Sequence, residues 1–184
     1  MSSSFLLTLL EIWQTQLKAW AAEGAVSQAA GSTLSLEGEK PLLQELESAW
    51  ATGDFSGLPA VELLPASSMP GAAGAYAAST GKVYLNQDWL STASEDQVQA
   101  VLTEELGHHL DALFKVADTP GDEGELFARQ LLGEELSAKQ QQAIQLQNDQ
   151  IQILVDGEWI AAEASAQTIT GTALADTLIG GFGD

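Results

Sequence analysis

The residues with the clearest capacity for chemistry lie in one short stretch, which reads TEELGHHLD and holds the only two histidines of the chain. On a helix, residues three or four apart share a face, so Glu104, His108 and Asp111 project together. Glu105 and His109 form a second pair, about 100° further round the helix axis. Imidazole and carboxylate groups that converge in this way are donors of many divalent-metal sites.

The same spacing also fits a solvated helix face. A Glu and a charged His four residues apart stabilise an isolated helix by about 0.2–0.5 kcal/mol, and an acidic chain produces such pairs by chance. Local spacing alone therefore favours the solvated face. We expect His109 to be a satisfied or half-exposed helix residue. Asp111 is a metal ligand, an acceptor for the N–H of His108 or a solvated residue.

The motif and its surroundings resemble the core of the zincin metallopeptidases. A short apolar strand at 61–64 comes first, then a hairpin that ends VYLNQDWL, then the helix that carries AVLTEELGHHLD. Zincin helices carry HExxH and often read HELGHxL, and five residues match: Glu105, Leu106, Gly107, His108 and Leu110. Glu104 stands where the family has its first histidine. The resemblance implies a divalent metal, zinc or another, and a peptide substrate.

This resemblance also assigns roles to individual residues. It makes Glu104 and His108 the first two metal ligands and Glu105 the general base. Several zincins take a third ligand from a Glu on the next helix, in a stretch similar to DEGELFARQLL in this chain. That match makes Glu123 the third ligand, with Asp122 and Glu125 as alternatives.

The replacement of the first histidine by Glu104 changes the expected metal chemistry. A second carboxylate adds negative charge, so the metal becomes a weaker Lewis acid and its bound water becomes less acidic. Oxygen-rich ligation also shifts the preference from zinc toward Mn, Mg or Ca. The site is therefore either a modified metal centre or an inactivated remnant, and the substitution favours the remnant.

The C-terminal sequence ITGTALADTLIGGFGD resembles the RTX, or hemolysin-type, calcium-binding nonapeptide repeat GGxGxDxUx. Asp176 occupies the sixth place of the first unit, and the second unit stops at Asp184. The resemblance implies calcium at these two residues and export by a type I route that needs no N-terminal signal. About one and a half repeats are too few to build a stacked roll, so a Gly-rich flexible terminus is the physical expectation.

Composition limits the classes of function. Six basic and 26 acidic residues give a formal net charge of −20, which opposes binding to nucleic acid and to anionic membrane surfaces. The absence of Cys excludes disulfides, thiolate metal sites and a Cys nucleophile. No segment reaches the roughly 18 apolar residues of a membrane helix, and the N-terminus lacks the features of a Sec signal peptide. We expect secretion by a signal-peptide-free route, with the cytoplasm as the alternative.

Periodicity and turn residues predict the elements that position these groups. Helices are expected at about 5–22, 41–51, 94–114, 122–132 and 137–147, with a loop at 31–39. A strand at 61–64 and hairpins at 75–86 and 151–162 complete the pattern, the second hairpin turning at Asp156-Gly157. Because the composition shifts after Ala164, we divide the chain into a domain of 1–164 and a tail of 165–184.

The sequence thus predicts an α+β domain with a zincin-like helix-and-hairpin core, a C-terminal hairpin and an RTX-like tail. The first hypothesis is a metallopeptidase-like domain of weak or no activity that holds a divalent ion and meets a peptide or protein. The second is a non-enzymatic calcium-binding or interaction module of an exported protein. Convergence of the side-chain tips of Glu104, His108 and Glu123 would favour the first.

Overall fold

The computed structural model describes residues 3–34, 40–114 and 121–166. The helices in these ranges are α1 Ser3–Ala22, α2 Ala25–Thr33, α3 Lys40–Thr52, α4 Gln87–Leu90, α5 Glu95–Phe114, α6 Glu123–Leu131 and α7 Ala138–Gln145. The strands are β1 Ala60–Leu64, β2 Ala72–Ala77, β3 Lys82–Asn86, β4 Gln150–Val155 and β5 Glu158–Ala166. The predicted combination of helices with a sheet is confirmed. The tail prediction, with Asp176 and Asp184, lies outside the described residues.

The five strands form one mixed sheet in the order β1-β3-β2-β5-β4. Strand β1 runs parallel to β3, and the other neighbours are antiparallel. Both predicted hairpins are present, as β2–β3 and β4–β5. In the second hairpin Asp156 has φ 50° and Gly157 has φ 86°, the left-handed pair typical of a tight two-residue turn. The β2–β5 pairing joins the two hairpins, so the C-terminal hairpin is part of the main sheet.

The two faces of the sheet pack differently. Val83 and Leu85 join the main core with the helices, whereas Tyr84 belongs to a smaller core on the opposite face. Successive strand residues alternate between faces. On β5 this alternation leaves Glu163 and Ser165 on the side of α5, which contacts α1, α6, β2 and β5. Helix α5 therefore packs against both helices and strands.

Helix α2 corrects the predicted loop at 31–39, because residues 31–33 form its last turn. The helix buries Val26, Ala29 and Ala30 at helical spacing. Its first turn is capped from a distance, since the N–H of Ser27 donates to the carboxylate of Glu47 on α3 at 3.0 Å and the Ser27 hydroxyl donates to the other oxygen. A cap that lies twenty residues away leaves no local signal in the sequence.

Apolar residues at three- and four-residue steps predict a core-facing stripe on α5, made of Val98, Leu102, Leu106, Leu110 and Leu113. The first four are buried. The prediction is wrong at Leu113, which is 45 % exposed, and Phe114 is buried in its place. The four-residue step from Leu110 keeps Phe114 on the core side of the helix. None of the helices in the three described ranges has both the length and the apolar composition that a bilayer crossing requires.

Candidate metal centre

The middle of α5 is enclosed on all sides. A capping box begins the helix, with Ser94 N–H donating to Gln97 Oε1 at 2.8 Å and Gln97 N–H donating to Ser94 Oγ at 3.2 Å. Every residue from 101 to 108 is then buried, polar or not. The exposed fraction is 8 % for Glu104 and 0 % for both Glu105 and His108. A solvated helix face is therefore the wrong interpretation of this motif.

Two glycines bring α5 and α6 into backbone contact. A glycine inside a helix predicts close approach by another backbone. A Cβ added to Gly107 would lie 2.8 Å from the Cα of Gly124, which confirms this prediction. A Cβ added to Gly124 would lie 2.4 Å from Nε2 of His108. The first turn of α6 thus rests on the imidazole ring, with no room for a larger residue.

The imidazole of His108 is surrounded by carboxylates from other elements. Its Nε2 lies 3.5 Å from Oδ2 of Asp149 and 3.8 Å from Oδ1 of Asp122. Its Nδ1 lies 3.4 Å from Oε2 of Glu163. Donor atoms of Glu104, His108 and Asp122 all lie within 4.8 Å of one another, as do those of His108, Asp149 and Glu163.

The separations of Nε2 from Asp149 and Asp122, 3.5 and 3.8 Å, are those of atoms that share a cation. Metal–ligand bonds of about 2.0–2.2 Å place the ligand atoms roughly 3–4 Å apart. Direct hydrogen bonds would be shorter, at about 2.7–3.2 Å. The donor set of imidazole and carboxylate also fits a divalent ion. The residues present therefore fit a metal in both spacing and chemistry.

Local structure fixes the ligand candidates on α6 and β4. Asp122 is the N-cap of α6, and its Oδ1 accepts the N–H of Glu125 at 2.7 Å. The N–H of Asp122 donates to the carbonyl of Ile144 at the end of α7. Asp149 comes directly before β4, and its carbonyl accepts the N–H of Ala164 on β5. Both aspartates are thus held by backbone hydrogen bonds.

The pKa values of two of these carboxyls are raised. Burial raises the pKa of Glu104 well above its ordinary value, and the charges of Glu105 and Glu125 raise it further. Burial likewise raises the pKa of Asp122, followed by the charges of Glu104 and Glu125. A buried carboxylate with a raised pKa is stabilised either by taking up a proton or by binding a cation.

Glu105, the predicted general base, is tied to the sheet. Its Oε1 accepts two hydrogen bonds from Ser165 on β5, one from the hydroxyl at 2.6 Å and one from the N–H at 3.3 Å. Gly74 on β2 leaves space for this carboxylate, because a Cβ there would lie 2.8 Å from the same oxygen. Burial raises the pKa of Glu105, which the Ser165 hydrogen bonds partly oppose and the charges of Asp122 and Glu163 reinforce. The other oxygen, Oε2, is buried without a hydrogen-bond partner in the described part of the chain.

The basic residue of α6 is already engaged. Arg129 on α6 pairs with Glu125 at 2.6 Å and with Glu134 at 2.7 Å. It lowers the pKa of Glu104 only as the last of several influences, after burial. The guanidinium of Arg129 is therefore only a minor counter-charge for Glu104.

The structure brings together some of the predicted site residues. Glu104 and His108 lie in one group as predicted, and the third member is Asp122, which the sequence left open as an alternative to Glu123. Glu123 and Asp111 are 5 % and 3 % exposed and belong to neither group among the described residues. Their roles as ligands stay predictions.

Sequence reasoning missed Asp149 and Glu163. Glu163 is the one charged residue in the Ala-rich second half of β5, which is a weak signal that it faces something polar. Asp149 precedes a strand and carries no signal of its own. His109 agrees with its prediction, because it is half-buried and its Nδ1 lies 3.2 Å from the hydroxyl of Tyr76.

No protein-family model, curated protein or solved structure matches this chain. The zincin and RTX resemblances therefore rest on the quoted motifs of the sequence. The candidate metal centre rests on the geometry around His108.

Proposed function

We propose that this chain is a divalent-metal-binding domain of metallopeptidase-like architecture that has lost peptide hydrolysis. The observation that carries the proposal is the convergence of Glu104, His108 and Asp122, all buried, with donor atoms within 4.8 Å of one another. The side chains come from α5 and from the N-terminus of α6. That arrangement follows the order in which the zincin resemblance supplies its ligands.

The charge of the site supports a cation. Burying a carboxylate without a partner costs several kcal/mol or forces it to take up a proton. A divalent ion bound to Nε2 of His108, Glu104 and Asp122 would balance the two carboxylates. When bound, such an ion supplies Lewis acidity and a fixed centre of positive charge.

The enclosure of the site supports a structural rather than a catalytic metal. Catalytic zinc sites keep an open position for water and substrate, and structural sites are closed. Here His108 is 0 % exposed and Asp122 is 4 % exposed. Glu105 is also 0 % exposed, and the hydrogen bonds from Ser165 occupy one of its two oxygens. A peptide substrate would have to displace β5 to reach this base.

The donor set favours zinc or manganese over calcium. Calcium sites in proteins are built from oxygen ligands, whereas imidazole suits zinc and related metals. The two carboxylates make manganese the closest competitor of zinc. Calcium, if it binds, belongs to the tail residues Asp176 and Asp184.

The first test is metal binding by the full chain. After chelator treatment, titration with Zn²⁺ and Mn²⁺ should show one ion per chain, checked by calorimetry and by metal analysis. Glu104→Gln and Asp122→Asn should each weaken binding by at least roughly 10- to 100-fold, the loss typical of removing a residue that only hydrogen-bonds a metal ligand. Glu45→Gln removes one charge from an exposed position on α3 and should leave the affinity unchanged.

Two outcomes would contradict the proposal. The first is the absence of binding by Zn²⁺ and Mn²⁺. The second is equal binding by the native chain and by both ligand variants. Calcium binding that survives Glu104→Gln and is lost in Asp176→Asn would instead favour the competing hypothesis, a calcium-binding interaction module of an exported protein.

A further inference from the structure

We infer that the metal is a clamp that fastens the β4–β5 hairpin to the α5–α6 pair, with Asp149 as a fourth ligand and Glu163 as a positioning residue for His108. The inference rests on the proposed metal binding and extends it to the C-terminal half of the sheet. It makes the docking of the hairpin dependent on the ion.

The carboxylates around His108 come from two different parts of the fold. Glu104 and Asp122 belong to the α5–α6 pair. Asp149 and Glu163 belong to the β4–β5 hairpin, one at its base and one on its inner strand. The candidate centre therefore lies at the contact between the helices and the hairpin.

The two ring nitrogens of His108 divide the hairpin residues into two roles. Nε2 faces both aspartates, and Asp149 is the nearer at 3.5 Å, against 3.8 Å for Asp122. The two aspartates thus approach the same nitrogen, one from the helices and one from the hairpin, and the inference is that an ion on Nε2 draws both in as ligands. Nδ1 faces Glu163 at 3.4 Å, and one imidazole cannot present both nitrogens to the same ion.

Glu163 is therefore placed to accept the Nδ1–H of His108 once an ion holds Nε2, with the 3.4 Å separation closing to hydrogen-bond length. A metal-bound imidazole commonly donates its second N–H to a carboxylate, which fixes the tautomer and the ring orientation. Gly124 holds the ring from the α6 side, since it leaves no space for a Cβ. Together these contacts keep Nε2 directed at the two aspartates.

Without the ion, the hairpin and the helices bring like charges together. Asp149 and Asp122 both approach Nε2 of His108, at 3.5 and 3.8 Å, and two carboxylates at one buried site repel when both are ionised. Contacts that oppose this repulsion include the β2–β5 pairing and the hydrogen bonds from Ser165 to Glu105. A cation between the carboxylates would convert the repulsive part of the contact into an attractive one.

The experiment is hydrogen exchange of backbone amides in the full chain, in chelator and with saturating Zn²⁺. Zn²⁺ should slow exchange in β4 and β5 by at least 10-fold more than in α1 and α3. Asp149→Asn should slow hairpin exchange in chelator, because it removes one of the repelling charges, and should reduce the additional effect of Zn²⁺. Glu158→Gln makes the same charge change at an exposed position of β5 and is the matched control.

A second pair of variants separates positioning from packing. In Glu163→Gln the side-chain amide oxygen can still accept the Nδ1–H of His108, so this variant should keep most of the Zn²⁺ affinity. Glu163→Ala should lose roughly 10-fold. Equal affinities in the two variants would overturn the positioning role.

The outcomes separate the clamp from the proposed function. If Zn²⁺ does not bind the native chain, the proposed function fails. If Zn²⁺ binds and Glu104→Gln weakens it, but hairpin exchange is the same with and without the ion, the clamp alone is overturned. Faster hairpin exchange in Asp149→Asn in chelator would also overturn it, because Asp149 would then stabilise docking by itself.

Discussion

Three ring atoms of His108 would lie 2.4–2.7 Å from a Cβ on Gly124, which is closer than any ordinary van der Waals contact. The same glycine also faces Gly107 across the crossing of α5 and α6. The position of the imidazole therefore depends on the absence of a side chain on α6. No property of His108 itself would show this dependence in the sequence.

We predict that Gly124→Ala displaces the imidazole and weakens both folding and metal binding. Overpacking of this kind costs about 1–3 kcal/mol of unfolding free energy, which urea denaturation in chelator measures. Calorimetry should show Zn²⁺ affinity reduced at least 10-fold.

Gly31→Ala is the matched control for this substitution. Gly31 is also helical, is exposed and has no atom within 4 Å of an added Cβ. Alanine there should be neutral or stabilising by up to about 1 kcal/mol, since it is the better helix former. If Gly124→Ala behaves like Gly31→Ala, the packing of α6 on the ring does not constrain the site.

At the scale of the elements, local signals predict some features and distant contacts decide the others. The capping boxes at Ser94 and Ser137 and the turn at Asp156-Gly157 each depend on residues at most three positions apart in the sequence. All three are present in the structure. The β2–β5 pairing joins strands about ninety residues apart, as the register of Ala75 with Ala164 illustrates. No periodicity in either strand specifies that partner.

The same distinction explains which part of the candidate site the sequence predicts. Glu104 and His108 are four residues apart on one helix, so helical geometry alone places them together. Asp122 lies beyond a break in the chain, and the sequence offers it only among several acidic alternatives. Asp149 and Glu163 reach His108 because β5 pairs with β2, which is the non-local step that the sequence leaves open.

Helix α2 provides a test of a distant cap. Glu47 accepts the N–H and the hydroxyl of Ser27, so Glu47→Ala should remove a cap and leave a polar group of the first turn without its acceptor. The expected loss is about 1–2 kcal/mol of unfolding free energy, measured by urea denaturation. Zn²⁺ affinity should stay unchanged, because Ser27 and Glu47 belong to neither of the possible metal-ligand groups in the described part of the chain.

Glu45→Ala is the control on the same helix, since Glu45 is exposed. This substitution removes the same charge as Glu47→Ala. Its effect on stability should stay within about 0.5 kcal/mol. Similar losses for Glu45→Ala and Glu47→Ala would show that α2 does not depend on the distant carboxylate.

At the scale of the whole molecule, negative charge acts on the surface and in the interior. The net charge of −20 makes the folded chain repel itself, more strongly as more carboxyls ionise. The interior adds the carboxyls of Glu104, Glu105 and Asp122, whose pKa values burial raises first and neighbouring charges raise further. Both contributions lower the free energy of unfolding as the pH rises.

A carboxyl with a higher pKa in the folded than in the unfolded chain binds its proton more tightly when folded. Its contribution to stability is complete below the unfolded pKa, which is about 4.5 for a glutamate, and is lost as the pH rises through the folded pKa. In chelator, the unfolding free energy should therefore fall between pH 5 and pH 8. Urea denaturation across this range measures the slope.

Metal should reverse the trend, because ligand carboxylates and imidazole must lose their protons to bind an ion, so metal affinity grows with pH. The stabilisation by Zn²⁺ should thus be small near pH 5 and largest near pH 8, where the metal-free chain is least stable.

Glu105→Gln, at a buried carboxyl outside the predicted ligand set, should flatten the dependence of the unfolding free energy on pH in chelator. Raising the ionic strength separates the two sources of charge, because salt screens the surface and leaves the buried cluster largely unscreened. A slope that vanishes in high salt and is the same in Glu105→Gln would place the whole pH dependence on the surface.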